Sequence, residues 1–197
     1  MRAAVVAIIL AAGSATRMGQ PKQLLDWGGQ PLLRAVALGA LSSQASAVHV
    51  VLGAARDQVA AALAGLGVAL VENSDHASGQ ASSLRVGVRS LPPDAGAALV
   101  LLADQPFVTP AIIDALILAW QQSAAPIVAP SYAGRRGNPV LFDRSLFPQL
   151  LATQGDQGAR SLVQERASNT LLVPFDDARP LEDIDSPEDY RRLLAQK

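Results

Sequence analysis

Residues 5–22 read VVAIILAAGSATRMGQPK, an apolar run followed by a loop that contains two glycines and two cations. The run from Val5 to Leu10 is rich in β-branched residues, which predicts a strand buried on both faces. Glycines in the following loop let backbone N–H groups approach a ligand without a Cβ in the way, and cations there can bind phosphate oxygens. These loop residues are Gly13, Gly19, Arg17 and Lys22. The stretch therefore predicts a polyphosphate-binding loop or, alternatively, a flexible surface loop with two solvated cations.

Apolar runs and amphipathic segments alternate along the rest of the chain. Further strands are predicted at Val48–Leu52, Val68–Val71, Ala97–Leu102, Ile127–Ala129, Pro139–Phe142 and Leu171–Val173. Helices are predicted at Pro31–Leu41, at Gln58–Leu63, at Ser82–Leu91, from Thr109-Pro110 onward and after Ser186. This alternation predicts an α/β fold: one Rossmann-like domain over residues 1–197, with a mostly parallel sheet flanked by helices. Such sheets bind ligands at the carboxyl ends of their strands, so the loops after the first, third and fourth strands are the candidate site.

The composition excludes several classes of protein. The chain has 197 residues, of which 50% are hydrophobic, and it contains no cysteine. Disulfides, thiolate metal sites and a cysteine nucleophile are therefore excluded, and a cytoplasmic location is expected. Lys and Arg number 16 against 17 for Asp and Glu, without a basic run, so we expect no nucleic-acid partner. No apolar run approaches the roughly 18 residues of a membrane span, so we expect no membrane partner.

The loop motif resembles the signature of a known enzyme family. Residues 10–22 fit the pattern Leu-Ala-Ala-Gly-x-x-x-Arg-Met-Gly-x-x-Lys of the MobA-like nucleotidyltransferases, which transfer a nucleoside monophosphate from an NTP to a phosphorylated acceptor. Later blocks resemble the same family at residues 79–84, 102–106, 137–142, 155–160 and 183–189. The resemblance implies a fold of the nucleotide-diphospho-sugar transferase type. It also implies catalytic roles for Arg17, Lys22 and Asp104. Arg17 and Lys22, together with a bound metal ion, would hold the triphosphate and offset the charge that grows on pyrophosphate, and Asp104 would bind that metal ion.

Three aspartates are candidate metal ligands. A chain with almost no soft ligands would hold a hard, oxygen-bound cation, so we expect Mg²⁺ as the cofactor. Asp104 follows the fourth strand and is the leading ligand by resemblance; the alternative is a turn or helix-capping aspartate. Asp183 and Asp185 lie two apart and would point the same way on an extended segment. We favour Asp185, although the guanylyl branch of the family commonly has Asn-Ile-Asn here; alternatively, the pair only stabilises the next helix N-terminus.

The resemblance implies a nucleotide site built from the first loop and the segment after the third strand. Its expected residues are Leu10, Ala11, Ala12, Gly13, Ser14, Arg17, Lys22, Asn73, Gly79, Ser82 and Ser83. Cytidylyl members of the family tend to have Leu-Ala-Ala-Gly where guanylyl members have Leu-Ala-Gly-Gly, and this chain has Ala12. A methyl group beside the base narrows the slot, so CTP is the expected substrate. The alternatives are a turn role for Asn73 and a helix N-cap for Ser82 or Ser83.

The acceptor site is expected in the loops before the sixth strand and after residue 155. Arg135, Arg136 and Asn138 can bind an anionic, hydrogen-bonding molecule, and the alternative is a solvated basic loop. Asp156 joins them as a weaker candidate, which would pair with Arg160 near the acceptor; the alternative is a cap of the helix at Gly158. The resemblance implies molybdopterin as the acceptor and a molybdoenzyme or its chaperone as a further partner.

Other functions stay open from the sequence. One is a GTP-dependent or polyol-phosphate nucleotidyltransferase, and another is a non-catalytic molybdenum cofactor accessory protein. The first loop lacks the GxGxxG fingerprint of a dinucleotide oxidoreductase, which argues against that class.

Overall fold

The central strand is β1 (Ala4–Ala11), which is buried along most of its length. This computed structural model describes residues 4–13, 19–156 and 158–197. On one side β1 pairs in parallel with β2 (Ala47–Leu52), and on the other it pairs in parallel with β4 (Ala95–Leu102). Ile8 and Ile9 are fully buried in two different core clusters, one on each face of the sheet. The continuous apolar run of β1 therefore reflects burial on both faces, as predicted.

Within the described residues, five further strands complete an eight-stranded sheet: β3 (Ala69–Glu72), β5 (Ile127–Tyr132), β6 (Arg135–Arg136), β7 (Val140–Asp143) and β8 (Thr170–Phe175). The order is β3-β2-β1-β4-β7-β5-β6, with β8 beside β5. The pairs β2–β3 and β5–β8 are parallel, whereas β7 runs antiparallel to β4 and β5, and β6 runs antiparallel to β5. The predicted fold class, a mostly parallel α/β sheet, is confirmed.

Helices cover both faces of the sheet. They are α1 (Leu32–Leu41), α2 (Arg56–Ala62), α3 (Gln80–Arg89), α4 (Pro110–Gln122), α5 (Phe147–Leu151), α6 (Arg160–Glu165) and α7 (Pro187–Leu194). Apolar residues of α1, α2 and α4 pack in one cluster, and those of α3, α5 and α6 pack in the other. A third cluster contains Trp27, Leu32, Ile184 and Leu193. It packs α7 and the segment before α7 against the first residue of α1. None of the helices in the described ranges is long and apolar enough to cross a bilayer.

The structure differs from the sequence prediction mainly in its second half. The short helices α5 and α6 were not predicted, because five or six residues carry too little periodicity to identify a helix. The direction of β7 was not predicted either, since an isolated apolar run has no signal for parallel or antiparallel pairing. The hairpin between β5 and β6 turns at Ala133 and Gly134, both with positive φ. Alanine disfavours that conformation, so the usual sequence signal for such a turn is absent.

Helix α3 approaches the sheet closely at Gly87. A Cβ added there would lie 2.6 Å from Ile8 Cγ2 and 3.2 Å from Val51 Cγ2, so the helix rests directly on β1 and β2. The helix begins at Gln80, beside the carboxyl ends of those strands, and its position sets one wall of the site described below.

Two helical glycines give a matched test of this packing. Gly87→Ala should lower the free energy of unfolding by about 1–3 kcal/mol, because the added methyl group overpacks the core. Gly39→Ala in α1 should raise it by about 0.5–1 kcal/mol through helix propensity, since the nearest atom to a Cβ there is Val108 O at 3.7 Å. Urea unfolding of both variants measures whether each substitution lowers or raises the free energy of unfolding. Equal effects of the two substitutions would contradict the close approach of α3.

Candidate functional site

A cleft of about 430 Å³ opens at the carboxyl ends of β1 and β4. Its lining residues are Leu10, Ala12, Gly13, Lys22, Gln23, His76, Ala77, Gly79, Gln80, Ser83, Leu102, Ala103, Asp104 and Asp156. The first, third and fourth strands therefore deliver their loops to one place, as expected for a parallel sheet. We call this cleft the first cavity.

Gln23 holds the backbone at the end of β1, where the first loop begins. Its Nε2 donates hydrogen bonds to Ala11 O at 2.9 Å and to Gly13 O at 3.1 Å, and the side chain is buried. Ala11 itself is buried and does not line the first cavity, so its contribution to the site is through its backbone. Ser14 and Arg17 lie outside the described residues.

Lys22 connects three distant parts of the chain. Its Nζ lies 2.7 Å from Asp104 Oδ2, 2.8 Å from Asp185 Oδ1 and 3.1 Å from Ile184 O, and it donates a hydrogen bond to each. An ammonium group has three donors, and all three are used here. Burial lowers the pKa of Lys22, but the charge of Asp104 and hydrogen bonds to Asp104 and Asp185 outweigh it and raise the pKa overall. Lys22 is therefore held in its charged form between two carboxylates.

The aspartates before α7 are placed by the residue between them. Ile184 is fully buried in the third cluster, and its N–H donates to Asp104 O at 3.1 Å. Asp183 and Asp185 flank it, and their carboxyl groups have different partners. Asp185 shares Lys22 with Asp104, whereas Asp183 Oδ1 accepts a hydrogen bond of 2.6 Å from Gln105 Nε2.

Negative charge is concentrated at this point. Desolvation of its carboxyl group raises the pKa of Asp183, and the charge of Asp104 adds to that rise; the hydrogen bond from Gln105 opposes it. The residue as a whole is exposed, so the desolvation is local to the carboxyl group. A site with this excess of carboxylates favours a cation.

The residues present fit a hard divalent cation. Asp104 and Asp185 already share one cation, the Lys22 ammonium, with both oxygen contacts below 3 Å. Mg²⁺ in phosphate-transfer sites usually takes one or two protein carboxylates and receives its other ligands from phosphates and water. No group of three or more His, Cys, Asp or Glu side chains suited to a metal occurs among the described residues. Asp104 and Asp185 are thus the pair of donor side chains that this site offers to such an ion.

One wall of the first cavity is formed by α3 and the 3₁₀ turn His76–Ser78. Gly79 has φ +98°, and a Cβ there would collide with the Asp156 carboxylate and lie 2.8 Å from Gly155 O. Ser83 lines the cavity, but Asn73 and Ser82 lie behind its wall. Asn73 Nδ2 donates to Ser82 Oγ at 2.8 Å and to Ser83 Oγ at 3.0 Å.

A second, smaller cavity of about 180 Å³ adjoins the first and shares Leu10, Gln80 and Leu102 with it. Its remaining lining residues are Leu84, Val100, Arg136, Gly137, Asn138, Val140, Phe142, Ala159, Arg160 and Val163. Arg136 and Asn138, two of the candidate acceptor residues, therefore share a cavity. Arg135 lines neither cavity, Asp156 lines the first, and Asp156 makes no ion pair with Arg160 within the part of the chain that the structure describes.

Several residues of the site were not assigned a role in it from the sequence. His76 and Gln80 line the first cavity, Gln23 supports the first loop, and Gln105 holds Asp183. Gln23 and Gln105 each follow a proposed functional residue directly in the chain, at Lys22 and Asp104. Their position next to Lys22 and Asp104 was the one signal in the sequence that could have indicated a role in the site. Glutamine is more often exposed, however, and burial of these two side chains depends on tertiary packing.

Comparison with known proteins identifies similar sequences over nearly the whole chain. A sequence model of the MobA-like NTP transferase domain matches residues 7–170. The chain is 32% identical to nicotine blue oxidoreductase from Paenarthrobacter nicotinovorans, and the match covers 96% of each protein. It is 30% identical to the purine catabolism protein PucB of Bacillus subtilis, over 94% of each. It is 25% identical to the molybdenum cofactor guanylyltransferase of Xanthomonas euvesicatoria, over 95% of this chain and 93% of that protein.

Solved structures show the same architecture. The crystal structure of Rv0371c from Mycobacterium tuberculosis superposes with a TM-score of 0.89 at 33% identity, covering 99% of this chain and 100% of that one. A complex of Rv0371c with manganese superposes with a TM-score of 0.85 at 31% identity, over 98% and 100% of the two chains.

The support of the first loop by Gln23 is open to direct measurement. Gln23→Leu keeps a similar volume but removes both donors, so the free energy of unfolding should fall by about 1–2 kcal/mol. Gln164→Leu in α6 is the matched control, because Gln164 is exposed and its change should stay within about 0.5 kcal/mol. Urea unfolding measures both variants. An unfolding free energy of Gln23→Leu equal to that of the control would show that these hydrogen bonds do not stabilise the loop.

Proposed function

Because the chain belongs to the MobA-like NTP transferase family, we propose that it transfers CMP from CTP to the terminal phosphate of molybdopterin and releases pyrophosphate. A nucleotidyltransferase needs a phosphate site, a base site and an acceptor site in contact with one another. The observation that carries the proposal is the first cavity, where Lys22 and Asp104 meet the base-facing residues Ala12 and Ser83 and which adjoins a second cavity.

The proposed reaction needs no covalent enzyme intermediate. An oxygen of the acceptor's phosphate attacks the α-phosphorus of CTP and forms a new P–O bond. The bond from the α-phosphorus to the oxygen that bridges to the β-phosphate breaks, and pyrophosphate leaves with that electron pair. Catalysis of this kind is mainly positioning and charge stabilisation.

Lys22, Asp104 and Asp185 supply the charge chemistry in this proposal. Lys22 would exchange its carboxylate partners for phosphate oxygens of the bound triphosphate, and Asp104 and Asp185 would hold Mg²⁺. The metal, when bound, supplies Lewis-acid stabilisation of the phosphate oxygens. The shared ammonium supports this assignment, since it shows that both carboxylates can reach one cation. The manganese complex of the similar mycobacterial protein adds support for a hard divalent ion. Arg17 is proposed as a further phosphate ligand.

The base and acceptor assignments follow from the two cavities. Ala12 lines the first cavity and is 4% exposed, so its methyl group narrows the space proposed for the base and favours binding of a pyrimidine. The second cavity has an apolar floor that includes Val100 and Phe142, with Arg136 and Asn138 beside it. That lining suits a flat, partly apolar acceptor that carries an anionic group, as molybdopterin does. Since nucleoside triphosphates are cytoplasmic substrates, we propose a cytoplasmic location.

The similarity to nicotine blue oxidoreductase favours oxidoreduction as a second candidate. The same scaffold can host unrelated reactions, so the site must decide between them. The pairing of Lys22 with Asp104 and Asp185 favours nucleotidyl transfer, because phosphate transfer needs both a cation and metal-binding carboxylates. A non-catalytic accessory role is the third candidate, and it would require acceptor binding without turnover.

Pyrophosphate release distinguishes these functions. The protein mixed with CTP, Mg²⁺ and molybdopterin should release pyrophosphate, and Asp104→Ala should reduce kcat by about a hundredfold because a metal ligand is lost. Asp94→Ala is the matched control, since Asp94 is exposed and lines neither cavity, and it should retain the parent's rate. A folded Asp104→Ala variant with full turnover would overturn the metal assignment. Tight molybdopterin binding without pyrophosphate release would instead support the accessory role.

The nucleotide preference has its own test. CTP should be turned over faster than GTP, because the Ala12 methyl group leaves less room for a two-ring base. Ala12→Gly should narrow the difference between the two nucleotides. Initial rates of pyrophosphate release with each nucleotide measure the preference, and a faster rate with GTP would contradict the base assignment.

A further inference from the structure

Asn73 is a buried polar residue behind the wall that α3 contributes to the first cavity. It follows β3, is 1% exposed, and its backbone N–H donates to Leu52 O at 2.8 Å. The residue is thus fixed where the ends of β2 and β3 meet α3. A buried amide in such a place must have its donors and acceptors satisfied, and their directions carry information.

The orientation of the Asn73 amide is set by a backbone donor. The N–H of Asp75 donates to Asn73 Oδ1 at 3.0 Å, so the oxygen faces the turn and Nδ2 faces α3. Both Nδ2 hydrogens are then used, one by Ser82 Oγ at 2.8 Å and one by Ser83 Oγ at 3.0 Å. Asn73 therefore has no donor left for a ligand.

This orientation fixes what the two serine hydroxyls can do. Each accepts a hydrogen bond from Asn73, so each must direct its own hydrogen elsewhere. Ser82 donates to Gly79 O at 2.8 Å, which closes the first turn of α3. Ser83 donates to none of the residues that the structure describes, although it is 5% exposed and lines the first cavity. The hydrogen of Ser83 is thus available to a ligand in that cavity.

We propose that Asn73 is a positioning residue for base recognition, which commits the Ser83 hydroxyl to donate a hydrogen bond to the nucleobase. The inference rests on the proposed function in that it takes the ligand to be a nucleotide. It goes further by assigning the direction of the hydrogen bond and the residue that sets it.

Because the Ser83 hydroxyl can only donate toward the cavity, it favours a base with an acceptor atom at the position that the hydroxyl faces. Cytosine has a lone pair at ring position N3, whereas uracil carries a hydrogen at N3 and guanine carries one at N1. A donor facing the middle of the base edge therefore favours cytosine. CTP and UTP have the same ring size, so a preference between them is independent of the space beside Ala12.

The decisive variant is Asn73→Asp, measured by calorimetric titration of CTP and of UTP with Mg²⁺ and without acceptor. An ionised aspartate accepts hydrogen bonds where Asn73 donates them, so the Ser83 hydroxyl would turn its hydrogen away from the cavity. We expect CTP binding to weaken about tenfold, the effect of one lost hydrogen bond, while UTP binding changes about twofold at most. Ser83→Ala should give the same selective loss, and the double variant should add little to it.

Controls separate positioning from folding. Asn169→Asp makes the same chemical change at an exposed residue, and it should leave both affinities unchanged. Thermal unfolding of each variant checks that the fold persists. If Asn73→Asp does not fold, Ser83→Ala still tests the donor, because it removes only the hydroxyl.

The outcomes distinguish this inference from the proposed function. Equal losses for CTP and UTP in Asn73→Asp or in Ser83→Ala would overturn the inference and leave nucleotide binding intact. Binding of neither nucleotide by the parent protein would overturn both. A selective loss of CTP affinity in both variants, with an unchanged Asn169→Asp control, would support the assignment.

Discussion

The shared ammonium of Lys22 is the interaction on which the site depends. Asp104 and Asp185 both contact it, and the charges of both also act on the nearby Asp183. Carboxylates this close repel one another strongly where solvent is partly excluded, so a cation among them is required for the arrangement to persist. Lys22 follows β1, Asp104 follows β4, and Asp185 precedes α7. One charge cluster thus joins three segments that are far apart in the chain.

Buried amide side chains give the cleft walls their shape. Gln23 donates to the backbone of Ala11 and Gly13, Asn73 donates to two serines of α3, and Gln105 donates to Asp183. All three are at most 4% exposed. A side-chain amide has a donor end and an acceptor end, so its orientation determines what the neighbouring groups can offer a ligand. The hydrogen-bond donors and acceptors in the walls of the site therefore have fixed orientations before any substrate binds.

Membership in the family accounts for the fold of this chain, but the reaction depends on the residues that line the cavities. Relatives at similar identity carry names as different as an oxidoreductase, a purine catabolism protein and a guanylyltransferase. In this chain, a mostly parallel sheet has strand ends that open onto one cleft, and such a scaffold can support many reactions. In the proposed function, the second cavity, with Arg136 and Arg160, is the part of the chain that would recognise the acceptor.

By itself, the sequence determined the fold class, the central buried strand and the cleft at its carboxyl end, because apolar runs and glycine loops act locally. It also singled out Lys22, Asp104 and Asp185 through their motifs. Only the tertiary structure decided that Asp185 shares Lys22 with Asp104 while Asp183 accepts a hydrogen bond from Gln105. It likewise decided that Asn73 lies behind the cavity wall, and that β7 runs antiparallel. Those outcomes depend on packing between residues distant in the chain, for which local patterns carry no signal.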